Sequence, residues 1–238
     1  MRLSRTVTPL LFGTALTLTA GVAAPAQAEE LRIGFIAPMT GLFAQVGKDM
    51  TDGFQMYLNE HGGKLGGMDV KFIVEDDQAK PDLGVTKAKK LILQDKVHMF
   101  IGGVLASTGY ALAPVSTAEK TIYIASIPAA DDLTQREFSK YPYLIRTGWS
   151  SSQPHHALGA WACDQGYKKV VAVAADYAFG YESVGGFQKA FEDCGGKIIQ
   201  KIWPTLGNKD FGPYISTIKP DADAVFSLMV QSVIWGWP

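Results

Sequence analysis

Ser107 and Thr108 stand just beyond a short apolar run, Val97 to Ile101, where their hydroxyls and the backbone N–H groups of the loop Val104-Leu105-Ala106 meet the start of a helix. A helix start is a favourable seat for a carboxylate, because its first N–H groups have no partner within the helix and its dipole is positive there. The same pair also reads as an ordinary Ser/Thr N-cap. Two acidic pairs, Asp76-Asp77 and Asp131-Asp132, have the composition of a catalytic dyad but read more simply as loop acids that cap or solvate turns. His155-His156 could hint at a metal. Adjacent helical residues point to different sides, however, and no further Cys/His/Asp cluster supports them, so they read as a surface pair at a helix start. Strand one is not followed by GxGxxG, and neither GxxxxGK[ST] nor GxSxG occurs. The expectation is a chain with no catalytic residues, no metal and no cofactor.

The elements that must position these residues alternate between strand-like apolar runs and helix-period segments, the rhythm of βαβ units and a parallel sheet. Leu31 to Ala37 predicts a first strand, and Gln45 to Glu60 a helix with Val46, Met50, Phe54, Tyr57 and Leu58 on one stripe, ended by His61-Gly62-Gly63. Val70 to Glu75 predicts a second strand. Asp82 is placed to cap a helix whose Val85, Ala88, Leu91 and Ile92 face inward, with Val97 to Ile101 as the third strand. A helix from Ser107 or Thr108, a fourth strand at Thr121 to Ala125 and a fifth at Tyr143 to Arg146 complete a first lobe, residues 29–148. A crossover at 149–153 leads into a second lobe, residues 154–238. Its predicted elements are a helix at Ala157 to Asp164, a strand at Val170 to Ala174, a helix at Gly180 to Asp193, a strand at Ile198 to Trp203, a short helix at Phe211 to Ile218 and a strand at Ala224 to Met229.

The N-terminus carries Arg2 and Arg5, an apolar centre around Leu10 to Val22 and the small-x-small sequence Ala26-Gln27-Ala28. This predicts an export signal cleaved after Ala28 and a periplasmic product. Four threonines and Pro25 interrupt the apolar run, so it is a poor membrane span, and no later segment is long and apolar enough to serve as one. Signal removal leaves 20 basic against 23 acidic residues, a balance that speaks against a nucleic-acid partner.

Six ordered segments then carry a resemblance: PMTGLFAQVG, IGGVLASTGYALAPVSTAEK, IPAADDLTQREF, YLIRTGWSSSQ, AADYAFGYESVGGFQKAFEDCGG and KDFGPYISTIKPDADAVF. Together they resemble successive landmarks of the leucine/isoleucine/valine-type solute-binding proteins of ABC transporters, from Leu31 to about Val230. The resemblance implies a type I periplasmic-binding-protein fold, α/β, with two doubly wound parallel-sheet lobes. It also implies a small-molecule carboxylate held between the lobes and delivery to an inner-membrane ABC permease. Ligand contacts are implied at Ser107 and Thr108, with the neighbouring Leu105 and Ala106, and at the small-residue segment Pro128-Ala129-Ala130, where a ligand can approach the main chain. Phe43, Trp149 and Phe179 form an aromatic rim with Tyr177 and Tyr181, the last of which reads as packing.

One departure from the family pattern matters for the ligand. Amino-acid-binding relatives typically carry an aspartate just before Ser-Ser-Gln to hold the ligand's ammonium group, and here that place falls to Ser150. A cationic amine enclosed without an anion would be an uncompensated charge. The expected ligand is therefore an aromatic or other apolar acid, with a branched-chain amino acid as the alternative and a ligand-sensing ectodomain or a non-functional truncated product as alternatives of another class. Cys163 and Cys194, the only cysteines, favour a disulfide in an exported protein over two buried thiols. Family members continue well beyond position 238, so the resemblance also implies an incomplete second lobe, with the departure starting after Val230 at the apolar tail Gln231 to Pro238.

Overall fold

The computed structural model describes residues 30–134 and 140–229. The expected export signal and the tail from Val230 lie outside the described residues. The first lobe is a six-stranded sheet in the order β2-β3-β1-β4-β5-β6, built from β1 (Leu31–Ala37), β2 (Lys64–Leu65), β3 (Met68–Asp76), β4 (Met99–Gly102), β5 (Ile122–Ala125) and β6 (Leu144–Arg146). All pairings in it are parallel except the β2–β3 hairpin. That hairpin is absent from the sequence-based expectation. Gly66 and Gly67 form its two-residue turn with φ of +57° and +82°, a conformation that glycine pairs adopt readily.

Strand β1 shows why the sheet is covered on both faces. Phe35 points to one side and meets Phe54 of helix α1 (Ala44–Glu60) and Phe72 of β3, with ring centroids 5.8 and 5.4 Å apart. Gly34 and Ile36 point to the other side, toward Leu91 of helix α2 (Pro81–Leu93) and the core shared with helix α3 (Ala106–Ala118). Phe100 and Tyr123 stack at 4.8 Å in that core.

The predicted α1 stripe needs correction. Tyr57 is exposed, and the buried face is Gly47, Thr51 and Leu58. Gly47 lies so close to the Pro38 carbonyl that a Cβ would stand 2.1 Å from its oxygen, so the tightest contact belongs to the smallest residue on the helix. Asp82 is not the cap of α2 either: Lys80 occupies that position, Pro81 opens the helix, and Asp82 sits in its first turn, where its charge suits the dipole.

The second lobe holds a three-stranded parallel sheet, β8-β7-β9, made of β7 (Lys169–Ala174), β8 (Lys197–Ile202) and β9 (Ala224–Leu228). Helices α4 (Gln153–Asp164) and α5 (Ala178–Asp193) pack closely together, and a short helix α6 (Gly212–Ile215) precedes β9. Phe187 stacks on Phe226 with centroids 4.5 Å apart, beside the fully buried Phe191. His155 corrects the expected surface pair: it is buried, its Nδ1 lies 2.7 Å from the Ser151 carbonyl oxygen, and its ring meets Phe179 and Phe226 edge-on.

Cys163, at the end of α4, is bonded to Cys194, just past α5, across a separation of 31 residues. Closing a loop of that length restricts the unfolded chain by about 3.7 kcal/mol on the chain-entropy view. Reduction is therefore expected to lower the thermal transition of the oxidised protein by several degrees, measured with and without reductant while dithionitrobenzoate counts the free thiols. No helix of the described residues is long and apolar enough to cross a membrane.

Candidate functional site

Three helix N-termini, two from the first lobe and one from the second, meet at one cavity of about 210 Å³. Phe43 caps α1, Leu105 caps α3 and Tyr177 caps α5, and all three residues line the cavity. None of these caps makes a side-chain hydrogen bond to its helix, and no helix of the three has an acid in its first turn. The positive ends of three helix dipoles thus lie at a space walled mainly by apolar and aromatic side chains. Val46, Val104, Ala106, Ile127, Ala129, Trp149 and Phe179 supply the rest of the wall.

Each wall segment is fixed by a local device. The loop ahead of Phe43 is held by Asp76, whose carboxylate accepts hydrogen bonds from the Met39 N–H (2.9 Å), the Thr40 hydroxyl (2.6 Å) and the Gln78 N–H (2.8 Å). Burial works to raise the Asp76 pKa, and these donors, Thr40 foremost, outweigh it and hold the carboxyl below its ordinary value. The turn into α3 uses Gly102 and Gly103, both at positive φ, and the Gly103 N–H donates to the Ile36 carbonyl at 2.7 Å. Trp149 is half exposed and meets Phe179 edge-on at 5.7 Å, while Tyr177 and Phe179 are tilted at 6.0 Å.

Of the residues expected from sequence, Phe43, Leu105, Ala106, Ala129, Trp149 and Phe179 come together on this wall. Ser107, Thr108, Ala130 and Ser150 are not among the described lining residues. Helix α3 begins at Ala106 rather than at Ser107 or Thr108, so both hydroxyl residues fall inside the first turn. Thr108 is fully buried, with its methyl group packed toward Gly84 and Gly103. The carbonyls of the small-residue segment are engaged elsewhere: Ala129 O accepts from Ser151 N–H (2.7 Å) and Ser151 Oγ (2.8 Å), and Ala130 O accepts from the Arg146 guanidinium. Ser150 lines a separate cavity of about 460 Å³ with Arg146 and Gln153, and its N–H donates to Gln153 Oε1 at 2.8 Å. Val46, Val104 and Ile127 complete the wall without having been singled out as contacts, and Tyr177, expected on the aromatic rim, joins them. Tyr177 carried a usable signal, since it is the residue between the end of a strand and a helix start.

The lobes also touch beside this cavity. Tyr110 of α3 donates its hydroxyl proton to Glu182 of α5 and accepts from the Asp132 N–H at 3.0 Å. Burial raises the Glu182 carboxyl above its ordinary value. Arg146 reaches the Trp149 carbonyl at 3.1 Å as well as Ala130, so one guanidinium ties β6 to the crossover and to the loop after β5.

Beneath the α3 turn, Asp77 is fully buried, with one carboxyl oxygen accepting from the Ala79 N–H at 3.1 Å and the other lacking a hydrogen-bond partner. Burial, with a smaller contribution from Asp76, pushes its carboxyl up to about 6 from an ordinary 3.8. The folded state therefore holds this proton more tightly than the unfolded chain, and stability attached to the site falls as pH rises from about 4 through about 6. Asp77→Asn is expected to stabilise the protein by on the order of 2 kcal/mol at pH 7, with the gain shrinking toward zero near pH 4. Paired urea titrations across that range measure it.

The comparisons with known proteins agree with this architecture. Residues 30–234 match the family model described as periplasmic binding protein. The chain belongs to the periplasmic binding protein family. Among its relatives is a Leu/Ile/Val-binding protein homolog 6 of Brucella abortus, 30% identical over 218 residues that make up 91% of this chain and 55% of the relative. A solute-binding protein of an ABC transporter from Rhodopseudomonas palustris BisB5, solved with 3,4-dihydroxybenzoic acid, superimposes with a TM-score of 0.77 at 32% identity, covering 84% of this chain and 54% of that one. A second R. palustris solute-binding protein, solved with benzoate, gives a TM-score of 0.79 at 28% identity over 86% and 56% of the two chains. This periplasmic binding protein therefore has the type I fold, and it spans about half the length of the relatives it matches.

Proposed function

We propose that this chain is the extracytoplasmic solute-binding component of an ABC importer, exported by a signal cleaved after Ala28, and that it captures a small aromatic carboxylate for delivery to a membrane permease. The observation that carries this reading is the convergence of three N-termini, free of side-chain caps and first-turn acids, on a wall of apolar and aromatic side chains. Such a site offers an anion N–H donors at one end and offers a ring van der Waals surface elsewhere. The described lining contains no acidic side chain, so an α-amino group would find no anion there. The relatives solved with benzoate and dihydroxybenzoate support the same ligand class. Ligand bridging the lobes would favour their closed arrangement by its differential affinity, and no covalent step is needed.

The test is thermal unfolding of the oxidised protein with benzoate or with leucine. A ligand at a hundred times its Kd adds about 2.7 kcal/mol to the folded state, enough to raise the transition by several degrees. A rise with benzoate and none with leucine is the expected result. A rise with leucine alone would overturn the aromatic-acid reading.

A further inference from the structure

The cavity wall among the described residues carries two polar side-chain groups, the Trp149 indole N–H and the Tyr177 phenol. They differ in what they can do. The indole only donates and belongs to a half-exposed side chain that water can reach. The phenol both donates and accepts, its residue is partly buried, and its hydroxyl makes no hydrogen bond to a described residue. Burial raises the Tyr177 pKa, so the group remains a neutral O–H at neutral pH.

Its position in the fold separates it from the anion seat on the first lobe. Leu105 and Ala106 bring the start of α3 to the cavity from the first lobe, whereas Tyr177 enters from the second, at the start of α5. An acid whose carboxylate takes the α3 N–H groups has its ring between the aromatic side chains and its far edge toward the second lobe. An unsubstituted ring would cover the phenol without giving it a partner, a desolvation that costs binding energy. A ring hydroxyl gives it one. We propose that Tyr177 is a specificity-determining residue whose phenol pairs with a hydroxyl on the ligand ring, so that the cavity takes hydroxylated aromatic acids over unsubstituted ones; this rests on the aromatic-carboxylate reading above.

The experiment is equilibrium dialysis of benzoate, 3-hydroxybenzoate and 4-hydroxybenzoate against the full chain and against Tyr177→Phe. The wild-type protein is expected to bind at least one hydroxybenzoate about tenfold more tightly than benzoate, the discrimination of a site built to hydrogen-bond a hydroxyl. In Tyr177→Phe that ratio should fall to about one, because benzoate no longer covers an unpaired phenol and binds more tightly while the favoured hydroxybenzoate loses its partner and binds more weakly. A uniform loss for all three acids would overturn the proposal by assigning the phenol to the carboxylate, and a ratio unchanged by the substitution would overturn it outright. Thermal unfolding of the variant checks its fold, and a wild-type protein with no preference among the three acids overturns the proposal without the variant. Failure of the wild type to bind any of the three overturns the aromatic-carboxylate reading and the Tyr177 proposal together.

Discussion

Gly102→Ala is expected to lower the unfolding free energy by about 3 kcal/mol or more, the range of a backbone position that a side chain cannot occupy. Two independent costs meet there. The residue has φ of +116°, a region that L residues rarely adopt, and an added Cβ would stand 2.1 Å from the Ile36 carbonyl oxygen. That oxygen belongs to the strand β1 and already accepts the Gly103 N–H, so it cannot move aside without loosening the sheet. The same turn aims Val104 and Leu105 into the cavity, and a variant that folds by shifting it should also bind ligand poorly. Gly53→Ala is the matched control. Gly53 lies within α1 with nothing near its would-be Cβ, and alanine there should stabilise by about 0.5–1 kcal/mol through helix propensity. Urea unfolding of the two variants beside the parent measures both signs, and equal effects would mean that steric contact at Gly102 is not what decides.

The succession of strands and helices and the loops after β1, β4 and β7 were legible in the sequence because strand-length apolar runs alternated with helical stripes. Leu31 to Ala37 gave the same bounds by pattern and by structure. What was less legible turned on groups that carry no hydrophobic signal. Gly47 makes the closest approach of α1 to the Pro38 backbone, so the buried stripe is marked by a missing side chain rather than by a large one. Ser107 and Thr108 have the composition of caps, yet the helix starts at Ala106 and the hydroxyl of Thr108 is sealed beneath the turn. The anion seat proposed at α3 would therefore be made of backbone N–H groups, which every residue except proline possesses and no composition reveals. Aromatic residues were the better guide to the wall: Phe43 and Phe179 sit next to helix starts, where a side chain at the end of a strand is aimed across the mouth of the sheet. His155 was misread because its burial depends on Phe226, some seventy positions further on, and pairings of that span are invisible to local pattern.

Leu105→Asp is expected to weaken binding of benzoate more than a hundredfold beyond Leu105→Asn. Leu105 caps α3 without using its side chain, is almost fully buried, and lines the cavity. Asparagine and aspartate are both good N-caps of nearly equal size, so each would accept the first-turn N–H groups that the ligand's carboxylate is proposed to use, and each removes the same apolar wall. Their difference is a unit of charge. Two like charges about 5 Å apart at an effective dielectric of about 20 repel by about 3 kcal/mol, which converts to a factor of more than one hundred in Kd. The cap itself offsets part of the lost leucine burial in both variants, and aspartate gains further from the helix dipole, so loss of folding should not track loss of binding. Calorimetric titration of benzoate into both proteins, with their thermal transitions measured alongside, separates the terms. Equal affinities in the two variants would place the carboxylate away from α3, leaving the starts of α1 and α5 as the remaining seats on this wall.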